Sequence, residues 1–477
     1  MNFSLRLSLI ASLLLFSSAL AVHGQVVGAT ITGTVHDSSG ASLSAATVIV
    51  KQSETGATRS LITDGEGRFF APSVPIGPYT VTAEHEGFAA SQQSTTLVVG
   101  QSLQLTFVLG VASVQQAVEV TADGSTVNTT TQQTAGLVDE RQVKELPLNG
   151  RSYDGLLTLN PATVNYTSER SGGTGTSNSS VGNMFSVSGR RPQDNLFLLN
   201  GIEYTGASLI NVTPGGTSGQ LLGVDAVREF NVSGDTYGAT YGKRNGAQVS
   251  IITTSGTNKI HGTAFEFIRN SALDARNYFD QGAIPVFQRN QFGGSLGGPI
   301  KTNKLFLFGN YEGFRQNWGL SSVTLVPDNQ ARQGYLPDAS GNLHYVGVDP
   351  SVAPLLALWP EANGPEFGSG IAESFSHPPQ HIREDFGTTR FDANLSKKDL
   401  LFAVYTVDDS MANTPSQNPL SLIDESLREQ VASIQEQHVF SPALLNTARL
   451  GYSRASYFLR ATRQSICPVG SRANPSA

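Results

Sequence analysis

The stretch VDAVREFNVSGDTYGATYGKRNGAQVSIITTSGTN, residues 224–258, carries the strongest structural signal in the chain. Residues 224–232 alternate apolar and charged side chains, which predicts a half-buried strand. Glycine follows both Tyr237 and Tyr241, and glycine permits the positive φ of tight turns. A second strand is predicted at residues 247–254. The stretch therefore predicts two strands joined by a tightly turning connection.

The order of these elements resembles the end of the plug domain of TonB-dependent outer-membrane receptors. The resemblance rests on Arg228-Glu229 in the first strand, the Tyr241-Gly242 turn, Asn245-Gly246-Ala247 and the strand Ile251-Ile252-Thr253. The family often has Arg-Gly-Pro after the first strand, where this chain has Ser233-Gly234-Asp235. The resemblance implies that the first strand of a transmembrane barrel follows residue 258. The alternative is an ordinary two-strand hairpin of a β-rich surface protein.

Composition limits the class of protein. The 477 residues are enough for about three domains. Only 14% are charged, and 49 are Gly and 24 are Phe, which favours an all-β envelope protein over a helical cytosolic one. A net charge of −7 gives no electrostatic support for nucleic-acid binding. Cys467 is the single cysteine, so the chain has neither a disulfide framework nor a cysteine metal cage.

Residues 1–24 are predicted to be a secretory signal peptide. Arg6 supplies the positive charge, residues 7–20 form the apolar core, and Ala19-Leu20-Ala21 or Val22-His23-Gly24 offers a cleavage site. The apolar core is too short to cross a bilayer as a helix. We therefore expect an exported protein that, if it sits in a membrane, spans it as a barrel. The resemblance to TonB-dependent receptors implies that this membrane is the outer membrane.

Residues 28–110 read as short strands with turns about every ten residues, which predicts a small β-sandwich. They resemble the carboxypeptidase regulatory-like domain, a transthyretin-like sandwich that hydrolyses no peptide itself. His36 and His85 are interpreted as surface or turn residues, not as metal ligands. The resemblance is carried by Gly33, Val35, Asp37, Gly40, Leu43, Ala46, Val48, Thr63-Asp64, Gly67, Phe69, Gly77, Tyr79, Val81 and Gly87-Phe88.

Residues 111–258 are expected to form the α+β plug. A short amphipathic helix is predicted at residues 137–146 and ends at Pro147. The following run, Leu146-Pro147-Leu148-Asn149-Gly150-Arg151, resembles a motif of large receptors that carry the sandwich module. A further strand is predicted at residues 195–200, before Gly201.

Near the start of the plug, an extended segment resembles the TonB box, which pairs edge to edge with a TonB-type energy-transducing protein. Strand addition of this kind gains affinity from backbone hydrogen bonds and demands little of the sequence. An additional plain strand or a linker remains the alternative. The candidate residues are Ala117, Val118, Glu119, Val120 and Thr121.

Four charges stand on strands that the resemblance places inside a barrel: Arg190, Arg191, Arg228 and Glu229. Buried charges need partners. One interpretation pairs them with acids on the inner wall of the barrel. The other leaves them solvated at the periplasmic surface.

Residues 259–477 are predicted to be part of an outer-membrane barrel, because apolar and polar residues alternate repeatedly. Phe391 and its neighbours at alternate positions are expected to face lipid. Residues 325–381 would form an extracellular loop. Gly293-Gly294-Ser295-Leu296-Gly297 matches a nucleophile-elbow pattern, but Pro299 opposes the helix that such a turn needs, so a plain strand is preferred. The seven predicted strands are residues 261–270, 290–299, 304–314, 386–396, 400–408, 433–440 and 445–459.

The resemblance thus implies an all-β-dominated chain: a sandwich, an α+β plug and the first part of a transmembrane barrel. Plugged transporters need about 22 strands, so we expect the sequence to be truncated within its barrel. The implied function is energised passage of a bulky ligand, such as a glycan, peptide or chelate, across the outer membrane. No catalytic, cofactor or metal site is expected. A surface adhesin, which should show repeated sandwiches, is the alternative; an exported metallopeptidase should show clustered His and Glu.

Overall fold

A computed structural model describes most of the chain. The described residues are 28–111, 118–121, 134–165, 183–204, 214–235, 237–238, 241–276, 284–415, 421–441 and 444–463. The predicted signal peptide and Ala117 lie outside them. Strands dominate, and no helix within these ranges is long and apolar enough to cross a membrane.

The N-terminal part is a two-layer sandwich. One sheet has the order β4-β1-β7 and the other β3-β2-β5-β6-β8. Buried and half-buried positions alternate along the strands, and the buried positions of both sheets form one apolar core. The strands are β1 (Ala29–Asp37), β2 (Thr47–Gln52), β3 (Thr58–Ile62), β4 (Arg68–Val74), β5 (Gly77–Glu84), β6 (Ser91–Leu97), β7 (Ser102–Leu109) and β8 (Val118–Thr121).

The middle part is a small α+β unit built on a five-stranded sheet of order β13-β12-β15-β14-β9. The strands β12 and β15 are buried almost throughout, so this sheet is covered on both faces. Its strands are β9 (Thr134–Val138), β12 (Leu196–Leu199), β13 (Ile202–Glu203), β14 (Val227–Asp235) and β15 (Gln248–Thr253); beside them lie α1 (Glu140–Glu145) and the hairpin of β10 (Thr163–Asn165) with β11 (Phe185–Val187).

Two predicted boundaries in this part are wrong. The helix begins at Glu140 and not at residue 137, because Asp139 closes a capping box with Gln142 and the preceding residues pair with β14. The strand predicted from residue 224 starts at Val227. Residues 224–226 form a 3-10 turn after Gly223, whose φ is 95°.

The C-terminal part is an open seven-stranded antiparallel sheet, which confirms the predicted number of strands. Its order is β16-β17-β18-β23-β24-β25-β26. Most of these strands are longer than predicted, because each one pairs with its neighbours beyond the region of clear alternation. They are β16 (His261–Asn270), β17 (Phe287–Lys301), β18 (Leu305–Gly319), β23 (Pro379–Asn394), β24 (Asp399–Pro415), β25 (Ser421–Ser441) and β26 (Leu444–Arg463).

The two ends of this sheet differ. The turns at residues 302–304 and 395–398 are short and lie against the sandwich, where Asn394 Nδ2 donates to the Thr55 carbonyl over 3.3 Å. The opposite end carries the long connection expected to be extracellular. That connection contains β19 (Ser322–Pro327), α2 (Asn329–Arg332), β20 (Tyr335–Pro337), β21 (Leu343–Tyr345), α3 (Ala353–Leu356) and β22 (Ile371–Ser376).

The seven-stranded sheet has one face toward the middle unit and one face outward. On β18, the side chains of Phe306, Phe308 and Glu312 point inward and are at most 1% exposed. Leu307 and Tyr311, which occupy intervening positions, are each more than 40% exposed. The apolar outward face is that of a lipid-facing barrel wall.

Ser295 of the elbow-like motif lies in the middle of β17, where its hydroxyl contacts that of Thr263 at 2.9 Å; no strand-to-helix turn is present there.

The sandwich core depends on Gly33, and this gives a test of the fold. A Cβ at Gly33 would lie 2.2 Å from the Leu105 carbonyl oxygen and 2.5 Å from the Phe69 ring. We expect Gly33→Ala to destabilise the sandwich by about 1–3 kcal/mol through overpacking. Gly65→Ala is the control, because nothing lies within 4 Å of its Cβ position. Denaturant unfolding of residues 28–110 measures both, and equal midpoints would contradict the predicted packing.

Candidate functional site

The middle unit is bound to the seven-stranded sheet through Arg151. Its Nη2 donates to Asp225 of the middle unit over 2.6 Å, and its Nε donates to Glu312 of β18 over 3.3 Å. The three side chains are 16%, 8% and 0% exposed. One half-buried cation therefore joins a carboxylate of each part, and removing it would leave two buried acids without their cationic partner.

Local structure directs Arg151 to this position. It follows the Asn-Gly turn of the motif that ends at Arg151, has a φ of 53° and stacks its guanidinium 3.8 Å from the centre of the Phe265 ring. The motif is visible in the sequence, but no role was predicted for Arg151. The available signal was a cation placed directly after a turn-forming Asn-Gly pair.

Backbone amides of the middle unit also bind acids of the surrounding sheet. Gly223 N donates to Glu312 over 3.0 Å, and Ser218 N donates to Glu384 of β23 over 3.1 Å. Both glutamates are fully buried. Hydrogen bonds to ionised groups are stronger than neutral ones, so these contacts fix the segment 217–223 against the barrel wall.

The expected barrel-wall partners of Arg228 and Glu229 are wrong. Arg228 donates to both carboxylate oxygens of Glu54 in the sandwich, over 2.9 and 3.2 Å. Glu229 accepts from Val99 N, also in the sandwich, over 2.5 Å. The reason is that β14 begins at the end of the middle unit that faces the sandwich, so its first charges meet that domain instead of the barrel.

Arg190 and Arg191 also have partners outside the barrel wall. Arg190 pairs with Asp235 at the end of β14 over 3.2 Å. Arg191 lies 3.6 Å from Asp194, and its side chain is 82% exposed. Both contacts stay within the middle unit, so for Arg191 the solvated interpretation is the better description.

The candidate TonB box lies against the sandwich where the structure describes it. Residues Val118–Thr121 form β8, which pairs in parallel with β6, Ser91 opposite Val118 and Ser94 opposite Thr121. This makes β8 the end strand of the larger sandwich sheet. An end strand offers backbone groups to a further strand, as strand addition requires.

One group of possible metal ligands occurs among the described residues. Carboxylate and imidazole atoms of Asp399, Glu436 and His438 lie within 4.8 Å of one another at the sandwich end of β24 and β25. Asp399 already contacts His438 Nδ1 at 2.5 Å and accepts from the Ser396 hydroxyl. These hydrogen bonds explain the arrangement of Asp399 and His438 without a metal ion.

The Arg151 bridge predicts how the middle unit is held. We expect Arg151→Ala to weaken its attachment by up to roughly 3–5 kcal/mol, the cost of breaking a fully buried pair. Faster hydrogen exchange in residues 214–235 of the nanodisc-embedded chain would report this. Arg141→Ala is the matched control, because its pair with Glu145 is 83% and 65% exposed. Equal exchange in the two variants would exclude a binding role for Arg151.

Glu229 predicts a pH-dependent junction with the sandwich. Burial raises the pKa of Glu229 to about 7 from 4.5. Between pH 4.5 and about 7 the folded chain keeps a proton on Glu229 that the unfolded chain releases. The contribution of this proton to the free energy of unfolding is therefore fully present below pH 4.5 and is lost as the pH rises to about 7. The loss is at most about 3 kcal/mol. We expect Glu229→Gln to abolish this pH-dependent loss of stability. The measurement compares the hydrogen-exchange protection of β14 at pH 5 and pH 8, after correction for intrinsic exchange rates. Glu86→Gln, at an exposed site, should keep the wild-type pH dependence.

Two family models match the chain. The carboxypeptidase regulatory-like domain matches residues 30–110, and the outer membrane beta barrel domain matches residues 252–469. A curated relative, the TonB-dependent transporter Oar of Myxococcus xanthus, is 24% identical over 320 residues, which are 63% of this chain and 28% of the relative. The chain thus spans less than a third of that relative's length.

Solved structures also match the chain, at a sequence identity below that of the curated relative. The outer membrane transporter YddB from Escherichia coli matches with a TM-score of 0.44 and 13% identity, over 67% of this chain and 38% of that one. FpvA of P. aeruginosa, solved with bound pyoverdines, matches with a TM-score of 0.40, over 70% of this chain and 43% of that one. The two domain matches and the curated relative support an outer-membrane protein of the TonB-dependent receptor type, with an N-terminal carboxypeptidase regulatory-like domain and an outer-membrane β-barrel domain.

Proposed function

We propose that the chain acts in energised transport of a bulky ligand across the outer membrane, with residues 111–258 as the plug. The observation that carries this proposal is the polar attachment of the middle unit. Arg151, Gly223 and Ser218 bind acids on the inner wall of the barrel sheet. Contacts of this kind are directional, and a pulled plug would have to release them together with the apolar contact that Leu222 and Ala226 make with buried side chains of the barrel sheet.

The sandwich, residues 28–110, faces the periplasm in this proposal, since it lies at the end of the barrel sheet that has short turns. Residues 259–477 supply barrel strands, and the connection at residues 320–378 faces outward, where a glycan, peptide or chelate would first bind. We draw the boundary between sandwich and plug at residue 110. Because β8 pairs with β6, the first strand after that boundary remains attached to the sandwich.

The energy source in this proposal is a TonB-type protein that adds a strand to Ala117–Thr121. Backbone hydrogen bonds supply the affinity, and an inserted proline removes one donor and restricts φ. The relative's name and the end-strand position of β8 support this assignment.

Strand addition predicts that a proline substitution sharply lowers the affinity for the TonB-type protein. We expect Val118→Pro to weaken binding of the purified periplasmic domain of a TonB-type protein by at least tenfold, since one ladder hydrogen bond and the extended backbone are lost. Val118→Thr keeps the amide and should bind like the wild type. Calorimetry on the nanodisc-embedded chain measures both. Unchanged affinity of Val118→Pro would remove this segment as the TonB box.

A further inference from the structure

A cavity of about 360 Å³ lies between the sandwich and the short turns of the barrel sheet. The sandwich contributes β3 and the end of β4, and the barrel contributes the turns at residues 302–304 and 395–398. Its volume falls at the lower end of the range for small-molecule sites, about 300–1,000 Å³. Hydrogen bonds fix the walls on both sides: Gln437 Nε2 donates to the Ser73 carbonyl over 2.8 Å.

The charges that line this cavity all have one sign. Four cations reach it, Arg59 from the sandwich and Lys304, Lys397 and Lys398 from the barrel turns, and the lining contains no Asp or Glu. The nearby acid Asp399 is already held by Ser396 and His438. The cavity therefore presents a positive potential to whatever enters it.

Arg59 is the least satisfied of these cations. Its Nη1 donates to the Pro72 carbonyl over 2.7 Å, whereas its buried Nε has no hydrogen-bond partner. Burial lowers the pKa of the Arg59 guanidinium, and no acid offsets this effect. A half-buried guanidinium that has no counter-charge and a buried donor without a partner is unfavourable, so an anion bound here would satisfy both its charge and its free donor.

The remaining wall is largely apolar. Val50, Val74 and Pro75 line it from the sandwich, and Leu400 and Val439 line it from the barrel. An inorganic anion would satisfy the cations but leave this surface unfilled. Burial of an apolar body gains roughly 25 cal/mol per Å², so both halves of the lining are used only by a molecule with an anionic head and an apolar body.

We propose that this cavity binds an anionic amphiphile, with a carboxylate or phosphate head at Arg59 and Lys304 and an apolar body against Val74 and Leu400. The site is separate from the Arg151 attachment and from the candidate TonB box, so it stands independently of the proposed transport. It lies at the boundary between the barrel and the sandwich, where a ligand contacts both parts at once.

Titration calorimetry with octanoate tests the proposal, on the chain embedded in phosphatidylcholine nanodiscs. We expect one octanoate per chain, and binding at least tenfold weaker in Arg59→Gln. Arg68→Gln is the matched control, because Arg68 is exposed and already paired with Asp64 and Glu66, and it should bind like the wild type. Octyltrimethylammonium, with the same chain and the opposite charge, should not bind at the site. Equal binding of the two amphiphiles, or equal affinities in Arg59→Gln and Arg68→Gln, would overturn the proposal.

A second variant guards against loss of folding in Arg59→Gln. Ala57 lines the cavity, so Ala57→Phe should fill it and abolish octanoate binding while every cation remains; full binding in this variant would place the ligand elsewhere. Dihexanoyl phosphatidate distinguishes the sources of the head group. Tighter binding of this lipid than of octanoate would assign the site to a phospholipid, and tighter binding of octanoate to a free carboxylate.

Discussion

The structure depends on one ion bridge, in which the half-buried Arg151 lies between two buried acids, Asp225 of the middle unit and Glu312 of the barrel sheet. Taking charges out of water is costly, and only well-placed partners offset that cost. The same need explains the neighbouring contacts, because the backbone amides of Gly223 and Ser218 satisfy Glu312 and Glu384 on the inner wall. The middle unit is consequently held against the barrel sheet by directional polar bonds and by an apolar contact of Leu222 and Ala226 with that sheet, while most of its apolar core lies within the unit itself.

A second junction fixes the sandwich. Arg228 and Glu229 stand next to each other on β14, yet each binds a different strand or loop of the sandwich, Arg228 at Glu54 and Glu229 at the amide of Val99. This arrangement orients the sandwich against the end of the barrel sheet that has short turns, where the cavity lined by Arg59 lies. The candidate TonB box is then held on the same sandwich as β8, so sandwich, middle unit and barrel sheet are coupled through a few charged contacts and small apolar clusters.

Local patterns predicted the elements better than their ends. Strand β16 begins and ends at the predicted residues, His261–Asn270, although most of its side chains are exposed on both faces. Strand β25 extends twelve residues before the predicted start at residue 433, since pairing with β24 and β26 continues where the apolar pattern weakens. The helix was placed too early for a related reason: Leu137 and Val138 fit a helical face but gain more as partners of β14.

The sequence by itself determined the sandwich, the α+β unit, the seven barrel strands and the presence of charges on a strand that had to be buried. Alternation, turn residues and motif order are local properties, and they survive in the sequence whatever the neighbours are. Tertiary structure alone decided which acid each cation meets. Arg228 was expected at the barrel and lies on Glu54, whereas Arg151 was only part of a motif and carries the bridge. Partner choice depends on distances between segments far apart in the chain, 174 residues for Arg228 and Glu54, and Coulomb energy follows those distances, not the order of residues.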